Sequence, residues 1–166
     1  MANITLGGTP VETVGNLPKV GSKAPDFKLT AIDLSTKTMA DFAGHNLVLN
    51  IFPSVNTGVC ATSVRTFNEK AAALDNTKVL CISRDLPFAQ DQFCAAEGIE
   101  NVVMLSDFKT GKFGTDYGVT FKTGGFEGLH SRCIVVVNKD GEVIYTEQVG
   151  ETGDEPDYDA ALASLS

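Results

Sequence analysis

The chain has 166 residues, 43% hydrophobic and 20% charged, which suits a globular protein whose core is large enough for one domain spanning residues 1–166. A formal charge of −8 leaves no basic face for a phosphate backbone or an anionic lipid, so neither nucleic acid nor a membrane is expected as a partner. No apolar run approaches the roughly 18 residues of a membrane span, and MANITLGGTP lacks the basic-then-apolar opening of a secretory signal, which points to a cytoplasmic protein.

Residues 4–14, ITLGG followed by TPVETV, read as a hairpin turning at GGTP. GNLPKVGSKAP is punctuated by Gly and Pro and runs over the surface before a short strand, DFKLTA. LVLNIF, residues 47–52, is a continuous apolar run ended by Pro53, as expected of a central strand covered on both faces. After it Cys60, Val64, Phe67, Ala71 and Leu74 recur at helical spacing and form one apolar stripe.

KVLCIS (78–83) predicts the next strand, and a helix then runs through PFAQDQFCAAE, with Pro87 in its first turn and Gly98 at its stop. VVML is a further short strand, and DFKTGKFGTDYG is weakly helical. SRCIVVVN and EVIYTEQV flank KDG as a hairpin, and PDYDAALASL closes the chain as a helix with Pro156 at its start. This order of elements predicts an α/β sandwich with parallel central strands and an antiparallel hairpin at the end.

The chemistry gathers where LVLNIF meets the helix. With Thr57 as N-cap, Cys60 is the third helical residue, at a position where backbone N–H groups lack intrahelical partners. A helix start favours negative charge, so a thiolate is stabilised there. The strand-to-helix loop also places the sulfur at the carboxyl edge of the sheet, where ligands of α/β proteins collect. Pro53 fixes the loop's entry and can shield the sulfur, while the Thr57 hydroxyl can face the sulfur or a bound oxygen. A Cys on an apolar stripe is otherwise a small buried hydrophobe, and Thr57 only a cap. Ser63 stands where a CxxC motif would have its second Cys, which disfavours dithiol exchange within this loop.

PSVNTGVC fits the PxxxTxxC motif of peroxiredoxins, and the wider chain resembles the bacterial thiol peroxidase subfamily. The likeness extends through ITLGGTPVETV, GSKAPDFKL, NIFPSVNTGVCATSVRTFN, KVLCISRDLPFAQDQFCAAEGIENV and EPDYDAAL. Asn56 departs from the Asp usual before that Thr, which bears on local charge. The resemblance implies a thioredoxin fold, a three-layer α/β/α sandwich with a mixed central sheet, preceded by the N-terminal hairpin.

It also implies that Cys60 attacks hydroperoxides and becomes a sulfenic acid, that Cys94 resolves it as an intrachain disulfide, and that Arg132 stabilises thiolate and peroxide oxygen. Thioredoxin as reductant, a homodimer, and no metal, haem or flavin cofactor follow from the same resemblance. Without it, Arg132 reads as a surface residue at a strand end, and Arg65 and Arg84 keep a plain structural reading. Rival readings are a thiol-disulfide oxidoreductase and a redox sensor in which oxidation of Cys60 signals to a partner.

Cys81 and Cys133 read as inert strand cysteines. The four Cys with His45 and His130 lack the close pairing of a zinc site. TGGFEGLHS is a glycine-rich loop bordering the active site or a subunit contact, and Phe27, Phe42, Phe52, Phe67, Phe88 and Phe93 are core or substrate-mouth candidates.

Overall fold

The computed structural model describes residues 2–165. A hairpin of β1 (Asn3–Leu6) and β2 (Thr9–Glu12) precedes a seven-stranded sheet. The sheet contains β3 (Lys28–Ala31), β4 (Thr36–Thr38), β5 (Asn46–Ile51), β6 (Thr77–Ser83), β7 (Val103–Ser106), β8 (Cys133–Val137) and β9 (Val143–Gln148) in the order β4-β3-β7-β6-β5-β8-β9. β5, β6 and β7 run parallel, while β3, β8 and β9 pair antiparallel with their neighbours β7, β5 and β8. The sheet is therefore mixed. The helices among the described residues are α1 (Gly58–Ala71), α2 (Pro87–Glu97), α3 (Lys112–Tyr117) and α4 (Tyr158–Ala163). This is the thioredoxin-like sandwich with an added hairpin that the sequence led us to expect.

Strand alternation divides the core into two layers. Val48, Val79, Cys81, Met104, Ile134 and Val136 face Cys60, Val64 and Phe67 of α1 together with Ala161 of α4. Leu47, Leu49, Ile51, Leu80, Ile82 and Val135 face the other way, toward Phe113 and Tyr117 of α3 and Phe27. The central run 47–52 is buried throughout, which explains why it shows no alternation in sequence.

Three local readings are corrected. β4 and the 3-10 turn Met39–Phe42 were not anticipated; TKTM carries no apolar periodicity, and its pairing with β3 is what orders it. Pro156 precedes the last helix instead of starting it: Asp157 is the N-cap and accepts the Ala160 N–H at 3.0 Å. Leu74 lies beyond the end of α1, although it still packs on the layer that holds Phe67.

Candidate active site

β5 and β6 are parallel neighbours, so the loops leaving their carboxyl ends lie side by side. β8 is antiparallel to β5 on its other side, with Cys133 opposite Ile51, so the chain entering β8 arrives at that same edge. Cys60 comes from the first loop and helix, Arg132 from the approach to β8. Alternation turns Arg132 away from Cys133 and onto the side of Ile134, the layer that contains Cys60.

The Cys60 sulfur is fully buried, and Arg132 Nη2 donates to it at 3.2 Å. Arg132 is only 2% exposed, which corrects the surface reading that its neighbours in sequence suggested. Segment 149–152 covers it: Nε donates to the Thr152 carbonyl at 2.9 Å, and Val149 N–H to the carbonyl of Arg132 itself. Nη1 is buried and has no hydrogen-bond partner among the described residues. A guanidinium fixed at Nε and Nη2 thus holds a donor in reserve beside the sulfur, where an incoming oxygen could accept it.

Thr152 is itself tied to the N-terminal hairpin, its N–H and hydroxyl both donating to the Thr5 carbonyl, at 2.8 and 2.9 Å. Next to it, Glu151 accepts the Gly153 N–H, the Gly8 N–H and the Thr5 hydroxyl, and these donors hold its carboxyl down to about 2. The hairpin therefore reaches the Cys60 sulfur through Thr152 and Arg132.

Thr57 has the extended backbone of an N-cap, but its hydroxyl donates to the Ser54 carbonyl at 3.0 Å and caps no helix N–H. Pro53 is buried. The Asn56 side chain is exposed, and its N–H donates to Ser54 Oγ. Behind the helix start, Ser63 Oγ donates to the Cys60 carbonyl at 2.8 Å, and buried Asn50 donates to Ser63 Oγ and to Cys81 Sγ.

Cys94 lies on α2, half-buried, against the same layer as Cys60. Burial and the neighbouring Asp91 carboxylate push its thiol up to about 11. Cys81 and Cys133 are fully buried and burial pushes both up to about 12.

Of the other arginines, Arg84 bridges the carbonyls of Asp107, Phe108 and Gly128, while Arg65 pairs with Glu97 across α1 and α2 at 3.3 Å. A separate cleft of about 440 Å³ opens between β3 and α3 on the Phe113 side and shares no residue with the Cys60 site.

Two carboxylate centres escaped the sequence reading. Asp85 accepts from Ser54, Val55 and Ser83. Asp107, buried, accepts His130 Nε2 at 2.9 Å and the N–H groups of Phe113 and Gly114; His130 Nδ1 is then free to accept the Thr120 hydroxyl. Gly114 makes that packing possible, since a Cβ there would lie 2.0 Å from Thr120 Oγ1. The signal available for Asp85 was its place at the carboxyl end of a strand parallel to β5.

The Redoxin family model matches residues 19–162. The chain belongs to the Redoxin family. It is 58% identical over 165 residues to a thiol peroxidase of Mycobacterium tuberculosis, covering 99% of each chain, and 52% identical over 166 residues to one of Corynebacterium glutamicum, covering both fully. A solved peroxiredoxin-like protein from Aquifex aeolicus superposes with a TM-score of 0.93 at 34% identity, over 99% of this chain and 96% of that one. This redoxin is accordingly a peroxiredoxin-type peroxidase. No helix among its described residues is long and apolar enough to cross a membrane.

Proposed function

We propose that this single-domain peroxidase works through Cys60 and Cys94, with Arg132, Thr57 and Pro53 shaping the site around the reactive sulfur. The observation that carries the reading is the Arg132 guanidinium, held 3.2 Å from Cys60 Sγ with Nη1 still unpartnered. The Cys60 thiolate attacks the terminal peroxide oxygen, the S–O bond forms, and the O–O bond breaks. The departing alkoxide or hydroxide takes up a proton and leaves as alcohol or water. Arg132 Nη1 and the free N–H groups at the start of α1 stabilise the charge that develops on oxygen. Cys60 becomes a sulfenic acid.

Cys94 then attacks the Cys60 sulfur; the S–S bond forms, the S–O bond breaks, and water leaves. In the folded helix the Cys94 thiol stays protonated up to about 11, which makes it a poor attacker at neutral pH. Local unwinding of α2 and of the first turn of α1 returns this thiol to solvent and to its ordinary range, and lets the two Cα atoms approach within about 7 Å. Thioredoxin reduces the disulfide, and the working assembly is a homodimer; Leu86 and Phe88, 51% and 66% exposed beside the Cys60 loop, offer apolar surface for docking. No metal, haem or flavin enters the cycle, and it runs in the cytoplasm.

The test is peptide-mapped mass spectrometry after one equivalent of an organic hydroperoxide is added to reduced protein. The expected product has lost two hydrogens and carries a bridge between the peptides of Cys60 and Cys94. A persistent extra oxygen on Cys60 would remove Cys94 from the cycle, and an unmodified Cys60 would overturn the reading.

A further inference from the structure

Asp85 lies between the two segments that the disulfide step must move. Ser54 Oγ donates to its Oδ1 at 2.6 Å, and the Val55 N–H and the Ser83 hydroxyl donate to its Oδ2 at 2.9 and 2.6 Å. The first two donors belong to the loop that leads into Cys60. The third belongs to the end of β6, and its oxygen in turn accepts from Gln90 Nε2 at 3.3 Å. Gln90 is fully buried on α2, one helical turn before Cys94 and on the same side of the helix. Its Nε2 also reaches the Leu105 carbonyl at 3.0 Å.

The bonds of this network converge on the Asp85 carboxylate. The Gln90 amide donates to Ser83, Ser83 donates to Asp85, and Ser54 and Val55 donate to Asp85 from the opposite side. Asp85 is further fixed by its own backbone, whose N–H donates to Ser83 Oγ and whose carbonyl accepts from Ser106 Oγ.

We propose that Asp85 is a positioning residue: its carboxylate latches the 53–57 loop to the Cys94 turn of α2, holding the site ready for peroxide attack and opposing the unwinding that disulfide formation needs. The inference rests on the Cys60–Cys94 cycle proposed above. Holding the latch favours attack, in which Cys60 sulfur gains oxygen and alcohol leaves. Releasing it favours condensation, in which Cys94 displaces water from that sulfur. A sulfenic acid that waits too long meets a second hydroperoxide and goes on to sulfinic acid, with a second alcohol released. The latch therefore sets how much time oxidised Cys60 spends exposed to that second hit.

The experiment follows reduced wild type, Asp85→Asn and Ser54→Ala by stopped flow with hydrogen peroxide, reading Cys60 oxidation and then disulfide formation, and quantifies Cys60 sulfinic acid at high peroxide. Asp85→Asn is expected to slow the first step roughly tenfold and to speed the second severalfold, with less sulfinic acid per turnover. Ser54→Ala, which removes one of the three donors, shifts both steps in the same directions by less, and serves if the Asp85 variant does not fold. Unchanged rates in both variants overturn the latch, and so does a fall in both steps together, the signature of general loosening. A wild type whose Cys60 does not oxidise overturns the peroxidase reading itself, whereas a reactive wild type with indifferent variants overturns the latch alone.

Discussion

The surroundings of Cys60 and Cys94 are built on different terms. Cys60 is fully buried, with a guanidinium on its sulfur, a serine on its carbonyl and a preceding loop tied to Asp85. Cys94 sits half-buried near the end of α2; its carbonyl accepts from Gly98 and Ile99 at the helix stop, where Gly98 takes the left-handed conformation. The last turn of α2 is held to α1 by an ion pair with both side chains well exposed, Arg65–Glu97, and the segment just after it by Asn68, which accepts the N–H groups of Glu100 and Asn101. In the proposed cycle Cys60 is the thiol that meets the peroxide in one geometry, and it is embedded in buried polar bonds. In the same cycle Cys94 is the thiol that travels, and beyond the Gln90 bonds on its N-terminal side its end of α2 is held by contacts that open at small cost.

Removing the guanidinium tests the first half of that contrast most severely. Arg132→Met is expected to slow Cys60 oxidation by about a hundredfold, since ~3 kcal/mol of charge-assisted hydrogen bonding is lost from the site. Stopped-flow oxidation at varied peroxide measures it, and a loss under about threefold would break the comparison.

A milder change acts at one remove. Thr152→Val deletes the hydroxyl that anchors segment 149–152 to the Thr5 carbonyl but leaves the Thr152 carbonyl on Arg132. Peroxide reactivity should fall severalfold, in line with one hydrogen bond of about 1 kcal/mol. An unchanged rate would show that the hairpin does not support Arg132.

pH sharpens the second half. If α2 unwinds before the sulfur is attacked, the disulfide-forming rate should titrate near the ordinary thiol value of about 9. Attack from the intact helix would follow a group near 11. The buried pair Cys81 and Cys133 provides a stability counterpart. The folded protein keeps both protonated up to about 12, whereas the unfolded chain releases those protons near 9. Their contribution is full below pH 9 and is lost as pH rises toward 12, so urea midpoints should decline over that window.

The smallest effect is expected at the exposed ion pair. Glu97→Gln should change global stability by less than about 0.5 kcal/mol while raising amide exchange in the last turn of α2. Equal exchange in variant and wild type would mean that the pair contributes nothing to holding that turn.

Much of this was legible before any coordinates, because periodicity and turn chemistry are local. The buried run 47–52, the stripe from Cys60 to Phe67, the Gly98 stop and the thiol at a helix start all express themselves within a few residues. Arg132 was legible only by resemblance: its burial is decided by 149–152 folding back over it, which HSRCIVVV does not encode. Asp85 and the Asp107–His130 pair were invisible for the same reason. Their partners lie far along the chain, and an aspartate after a strand looks like turn chemistry until the neighbouring loop is in place. Strand β4 was missed because a three-residue polar edge has no pattern of its own.

The long reach of the bonds around Arg132 also gives this protein a timetable. Cys60 and Arg132 are 72 positions apart, and the Thr5 carbonyl meets the Thr152 hydroxyl across 147. On the ribosome, at roughly 5–20 residues per second, the sulfur emerges seconds before its guanidinium is made, and the hairpin must wait for nearly the whole chain. Until then Cys60 is an ordinary cysteine on a nascent peptide. On the proposed cycle, the guanidinium joins the thiol only when translation has all but finished, so an incompletely synthesised chain carries Cys60 without Arg132 held beside it.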